Sequence, residues 1–91
     1  MNTTTRVAII TGASQGIGAA LVEGYRKLGY AVVANSRTIE AGDDPMVLAV
    51  PGDIGEPGVG QRIIDAALEH FGRVDTVVNN AGIFIAKPFT E

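Results

Sequence analysis

The sequence predicts an α/β fold, a parallel sheet with helices on both faces. Three observations carry this. Short, continuously apolar runs suit strands that are buried on both sides, as parallel strands are. Two longer segments repeat their apolar residues at helical spacing. The two kinds of segment alternate in the order β-α-β-link-β-α-β, the pattern of right-handed βαβ units.

The first strand is Val7 to Ile10, and a glycine-rich turn, Thr11 to Gly18, follows it. Ile17, Ala20, Leu21, Tyr25 and Leu28 then mark the apolar stripe of a first helix, with Glu23 and Lys27 paired i,i+4 on its outer face. Gly29 is placed to end it. Ala31 to Ala34 is the second strand. The polar link from Ser36 to Pro45 has room for a turn or two of helix at most, near the shortest crossover that parallel strands allow. Met46 to Val50 is the third strand, broken by Pro51-Gly52-Asp53. Pro57 is placed to open a second helix. Its stripe is Val59, Ile63, Ala67, Leu68 and Phe71, and Gly72 ends it. Val74 to Val78 is the fourth strand, running into Asn79-Asn80-Ala81-Gly82, and Ile83 to Glu91 reads as a loop carrying Pro88.

No repeat, low-complexity segment or internal boundary divides the 91 residues. If the fourth strand lies beside the first, Val74, Val77 and Val78 form a bare apolar edge, which invites association. Parallel sheets are usually larger than this one. The expectation is a domain truncated after its fourth strand.

Composition narrows the function. Hydrophobic residues make up 46%, charged residues 19% and aromatics only 5%, so the core is built from Ala, Val, Ile and Leu. The 12 glycines exceed the usual share of about 7% but have no period, which excludes a collagen-like chain. A net charge of −3 with no run of Lys or Arg argues against a nucleic acid partner. No apolar run approaches the roughly 20 residues of a membrane helix, and the polar start from Met1 to Arg6 is not that of a signal peptide. Without cysteine there is no disulfide and no thiolate metal site. No metal is expected, no membrane partner either, and a cytoplasmic location is the default.

The turn TGASQGIG fits two kinds of chemistry. Gly12-Ala13-Ser14-Gln15-Gly16 matches the G-x-S-x-G elbow of a nucleophilic serine. It also suits a strand-to-helix turn that cradles phosphates. An elbow needs a histidine on a later loop and an oxyanion amide from an earlier strand. The single histidine, His70, falls inside the second helix, and no strand precedes Val7. A phosphate turn needs neither. Gly12 permits a sharp bend, and Gly16 and Gly18 remove side chains that would block a pyrophosphate or the helix–strand contact. The N–H groups near Gly16, Ile17 and Gly18 point at an anion, and Ser14 offers a hydroxyl. The spacing, G-x-x-x-G-x-G, is not the common G-x-G-x-x-G, and alone it is also that of a tight connection.

Two later motifs add specificity. TGASQGIG, then Gly52-Asp53 after the third strand, then NNAG at Asn79 to Gly82 after the fourth, resemble in order and spacing the short-chain dehydrogenase/reductase family. The resemblance covers nearly the whole chain. It implies a Rossmann-type fold binding NAD(H) or NADP(H), with this chain as its N-terminal, cofactor-binding half. It implies that Gly12, Ser14, Gln15, Gly16, Ile17 and Gly18 form the dinucleotide turn and that the Asp53 carboxylate meets the adenine amino group beside the Ile54 backbone. It further implies that Asn79 braces the fourth strand and that Asn79, Asn80, Ala81 and Gly82 line the adenosine ribose. A small carbonyl or alcohol substrate and a homo-oligomer, dimer or tetramer, of the full-length protein are implied as well. Plain turn residues remain the alternative reading of Asp53 and the asparagines.

Nucleotide sheets that select NAD carry an acidic residue about 20 positions past the turn, on the ribose 2′-OH. Here the second strand ends in Asn35-Ser36-Arg37. Neutral Ser36 does not repel a 2′-phosphate and Arg37 can pair with one, which favours NADP(H) over NAD(H). The resemblance agrees. A solvated loop arginine is the alternative.

The family's acid–base motif is Tyr-x-x-x-Lys. Tyr25 is followed four positions later by Gly29, and Tyr30 by Ala34, so neither makes it. Both tyrosines read as packing residues, and no residue here is expected to be catalytic. The expectation is therefore the cofactor-binding half of an NADP(H)-dependent oxidoreductase whose catalytic half lies beyond Glu91. The alternative is a non-catalytic nucleotide-binding or interaction fragment.

Overall fold

The computed structural model describes residues 5–14 and 16–80. Within them the chain runs β1 (Val7–Thr11), α1 (Gly16–Lys27), β2 (Ala31–Ser36), β3 (Val47–Pro51), α2 (Val59–Phe71) and β4 (Thr76–Asn79). The strands form one parallel sheet in the order β3-β2-β1-β4. The fourth strand does lie against the first. The expected loop from Ile83 to Glu91 lies outside the described residues.

Alternation along the strands sorts the core into two layers, because successive side chains in a strand point to opposite faces. Val7, Ile9, Ala31 and Val33 pack with Val59, Ile63, Ala67 and Phe71 of α2. Ile10, Val32 and Ala34 pack with Leu21, Val22 and Tyr25 of α1. One helix thus covers each face. Ile10 and Ile63 are among the most buried side chains, and each full burial contributes about 1.5–3 kcal/mol.

The structure corrects the expected helix faces. Ile17 and Leu28 do not join α1's apolar stripe; they are 72% and 73% exposed. Leu21 and Tyr25 do face the sheet, Val22 joins them, Ala20 is exposed, and Gly18 is buried against the Gly12 turn. Gly18 is the contact of closest approach, and a glycine carries no apolar mark in a sequence. On α2, Leu68 turns outward at 48% exposure while the rest of the stripe is buried. Pro57 does not open this helix; Gly58 caps it in the left-handed region, φ 87°.

The helix ends are as expected. Gly29 (φ 91°) follows α1, with Gly29 N–H on the Arg26 carbonyl and Tyr30 N–H on that of Tyr25, a Schellman closure. Tyr25 and Tyr30 pack edge to face, ring centroids 4.9 Å apart. The link between β2 and β3 contains turns and bends but no helix. Strand limits move by a residue or two: β2 continues to Ser36, β3 starts at Val47, and β4 starts only at Thr76.

Two carboxylates fasten the periphery. Asp44 accepts from Arg26 Nε at 2.7 Å and from the Met46 N–H at 2.9 Å, while Arg26 also donates to the Tyr30 carbonyl. Asp75 accepts from Arg73 Nη2 at 2.7 Å and from the Val7 N–H at 2.8 Å. Arg26 and then Met46 hold the Asp44 carboxyl below its ordinary 3.8, and Arg73 and then Val7 do so for Asp75. A carboxyl lowered by folding stabilises fully above its unfolded value and loses that contribution as pH falls through the lower folded value. Both pairs face solvent, so the effect is small. The contribution of these two pairs should fade only below about pH 4, and Asp75→Asn should flatten a small part of the acid limb of melting temperature against pH. An identical acid limb in the variant would remove Asp75 from this account.

Candidate functional site

Register aligns the site. Thr11 lies opposite Asn35 on one side and Asn79 on the other, and Asn35 lies opposite Val50. Three polar side chains therefore cross the carboxyl edge of an otherwise apolar sheet. In open α/β sheets ligands bind at this edge, where the connections of neighbouring strands part to opposite faces.

From β1 the chain turns at Gly12 (φ 62°) and enters α1 at Gly16 (φ 60°), both conformations that favour glycine. A Cβ on Gly16 would meet nothing within 4 Å, so the space before it is open. Gly18 is the reverse case. A Cβ there would overlap the Gly12 carbonyl oxygen and stand 2.8 Å from Asn80 Nδ2. Two hydrogen bonds bind the carboxyl ends of β1 and β4 together: Thr11 Oγ1 donates to Asn79 Oδ1 at 2.9 Å, and Asn80 Nδ2 donates to the Gly12 carbonyl at 3.2 Å.

At the end of β2, Asn35 is buried and its Nδ2 donates to the carbonyls of Val50 (2.9 Å) and Gly52 (3.1 Å). Its Oδ1 and the Ser36 Oγ are buried without a partner among the described residues. Such atoms cost free energy unless something else reaches them. Asp53 Oδ1 accepts the Gly55 N–H at 2.9 Å, an Asx turn.

These strand ends and loops border a polar cleft of about 670 Å³, lined by Gly12 and Ser14 after β1, Asn35 and Ser36 at the end of β2 with Arg37 and Thr38 beyond it, Gly52 to Ile54 after β3, and Asn80 after β4. That volume suits a small organic ligand. Arg37 is exposed and brings positive charge to the rim, and Asp53 brings a carboxylate. A second cavity of about 450 Å³ lies between α2 and the sheet, with mostly apolar walls that include Ile9, Ile54, Ile63, Ile64 and Val77.

Of the residues expected in a site, Gly12, Ser14, Ser36, Arg37, Asp53, Ile54 and Asn80 line one cleft. Gly16, Ile17 and Gly18 form the adjoining first turn of α1. Asn79 faces the apolar cavity and braces Thr11. Gln15, Ala81 and Gly82 lie outside the described residues. Asn35, Thr38 and Gly52 are additions. Asn35 had a signal, an amide closing an apolar strand run, and Gly52 belongs to the Gly52-Asp53 motif, while Thr38 had none beyond its neighbours. His70 sits on the last turn of α2, which leads into the start of β4 at the opposite end of the sheet from Ser14. Its ring packs edge-on against Phe71, 4.7 Å between centroids. Ser14 and His70 therefore form no nucleophile–base pair. Among the described residues no cluster of His, Asp or Glu could hold a metal ion, and no helix is long and apolar enough to cross a membrane.

The sequence profile of the family described as short chain dehydrogenase matches residues 6–91. Glucose 1-dehydrogenase 2 of Bacillus subtilis is 36% identical over 89 residues, covering 87% of this chain and 34% of that protein. The 3beta-hydroxysteroid dehydrogenase 1 of Eggerthella lenta is 37% identical over 93 residues, covering 91% of this chain and 36% of that one. Among solved structures, L-sorbose reductase from Gluconobacter frateurii, complexed with NADPH and L-sorbose, superposes with a TM-score of 0.74 at 29% identity, over 91% of this chain and 37% of that one. The KRED1-Pglu enzyme gives 0.77 at 39% identity, over 89% of this chain and 37% of that one. The chain spans about a third of the length of the curated relatives it matches.

Proposed function

The chain belongs to the short-chain dehydrogenase family, and on that premise we propose that it is the cofactor-holding part of an NADP(H)-dependent oxidoreductase. The reaction is hydride transfer between nicotinamide and a small carbonyl or alcohol, and the hydride chemistry is supplied by the cofactor. One observation carries the preference for NADP(H). Strand β2 ends without a carboxylate, in two buried oxygens, Asn35 Oδ1 and Ser36 Oγ, that have no partner among the described residues, beside the exposed cation of Arg37. A serine hydroxyl can donate to phosphate, and a guanidinium pairs with it bidentately. That the sorbose reductase neighbour is complexed with NADPH lends support.

In this reading the turn of Gly12, Ser14, Gln15, Gly16, Ile17 and Gly18 meets the pyrophosphate with backbone N–H groups and the start of α1. Ser36 and Arg37 hold the 2′-phosphate. Asp53 and the Ile54 backbone hold the adenine, and Asn79, Asn80, Ala81 and Gly82 border the adenosine ribose. Residues 1–91 are then the N-terminal part of a single dinucleotide-binding domain. No residue of this chain takes an acid–base role; that role belongs to the catalytic half. The complete protein is a cytoplasmic homo-oligomer, dimer or tetramer.

The test is titration of the complete protein with NADPH and with NADH, followed by oxidation of the bound cofactor against a panel of carbonyls. Tighter NADPH binding and turnover of a carbonyl are expected. Binding without turnover of any carbonyl or alcohol would leave only a non-catalytic nucleotide-binding or interaction module. Ser14→Ala should weaken NADPH by about 0.5–1.5 kcal/mol, the worth of one hydrogen bond, and leave turnover at saturating cofactor largely intact. Complete loss of turnover would revive a nucleophilic serine.

A further inference from the structure

The turn that carries Asp53 into the cleft is gripped from two sides. From the cleft side, Asn35 Nδ2 takes the carbonyls of Val50 and Gly52. From the other side, Arg62, in the first turns of α2, donates from Nη2 to the Pro51 carbonyl between them. Three successive carbonyls are thus each bound by a side chain. The Gly52 N–H is also bound, by the Ser36 carbonyl at 3.0 Å. Beyond this grip, Asp53 uses Oδ1 for the Gly55 N–H, and its Oδ2 has no partner among the described residues.

Arg62 is not among the residues lining the cleft. An exposed carbonyl such as that of Pro51 can be satisfied by water, so the arginine is not needed for that. What it adds is a fixed position. Gly52, at φ 151°, is part of the same device: a Cβ on it would overlap the Arg62 guanidinium and stand 3.1 Å from Val59 Cγ1. The glycine lets α2's arginine reach the turn, and the arginine stops the turn from swinging away from β2.

We propose that Arg62 is a positioning residue for the adenine end of the cleft, acting through the Pro51–Asp53 turn to aim the free Asp53 oxygen at the exocyclic amino group. This rests on the nucleotide reading of the cleft. A misplaced carboxylate loses its hydrogen bond to the amino group and little else, because the phosphate and ribose contacts come from other loops.

The experiment measures dissociation constants for NADPH and for its reduced hypoxanthine analogue, which lacks that amino group, in the complete wild-type protein and in Arg62→Ala, Arg62→Gln and Arg62→Lys, with thermal melts alongside. Arg62→Ala and Arg62→Gln should each weaken NADPH by about fivefold, the scale of one hydrogen bond, and leave the analogue nearly unchanged. Arg62→Lys, which can still donate to one carbonyl, should restore most of the NADPH affinity. Unchanged NADPH affinity in both the alanine and glutamine variants overturns the proposal. So does equal weakening of both dinucleotides, which would make Arg62 a support for the fold as a whole. A wild-type protein that binds neither dinucleotide defeats the nucleotide reading itself, a result distinct from either.

Discussion

Gly18→Ala is expected to abolish dinucleotide binding and to lower the melting temperature of the complete protein by about 10 °C. The cause is local. The new methyl would overlap the Gly12 carbonyl oxygen and stand 2.7 Å from the carbonyl carbon. Both belong to backbone, which cannot rotate away as a side chain can. The nearby Asn80 Nδ2 is itself tied to that carbonyl. Relief requires moving α1 off the sheet or opening the turn, and overpacking of this kind costs about 3 kcal/mol. Either movement displaces the amides at the start of α1. Gly24, further along the same helix, supplies the control: a Cβ there meets nothing within 4 Å. Gly24→Ala should stabilise by up to about 1 kcal/mol through helix propensity alone. Binding and melting measured on both variants check the argument, and a Gly18→Ala protein that binds NADPH normally would refute it.

Arg37→Ala should weaken NADPH by about 1.5–3 kcal/mol, the range for a hydrogen bond to a charged group, and leave NADH almost unaffected. The selectivity follows from placement at the rim beside the buried Ser36 Oγ, which has no partner among the described residues, where only the 2′-phosphate would demand a cation. Because Arg37 is exposed, the NADPH advantage should also shrink as salt rises. Titrations of both cofactors at low and high salt measure it. Equal losses for the two would contradict the 2′-phosphate role.

Much of the architecture is legible because strands buried on both faces leave unbroken apolar runs and helices leave a stripe. The same rules misplace particular residues. Ile17 reads as inward because it is apolar and correctly spaced, yet it is Gly18 that packs inward, against the Gly12 turn, and glycine is invisible to an apolar pattern. Pro57 reads as a helix opener, but Gly58 in a left-handed conformation starts α2 later. In the site, the glycines, Arg37 and Asp53 stand out by type and position. Asn35 is marked only as an amide closing an apolar run, because its function as a tie is set by carbonyls at and just after the end of β3.

The class of the elements, their order and the glycine turn are legible in the sequence alone, since each depends on residues close together in the chain, and the alternation of strands and helices implies the parallel sheet. The inward turn of Gly18 and Val22 on α1, the links from Asn80 to Gly12 and from Thr11 to Asn79 across 68 residues, and the reach of Arg62 to the turn after β3 emerge in the assembled fold. These depend on distances between elements, which arise when the sheet assembles and brings strand ends together along one edge; no local periodicity encodes them.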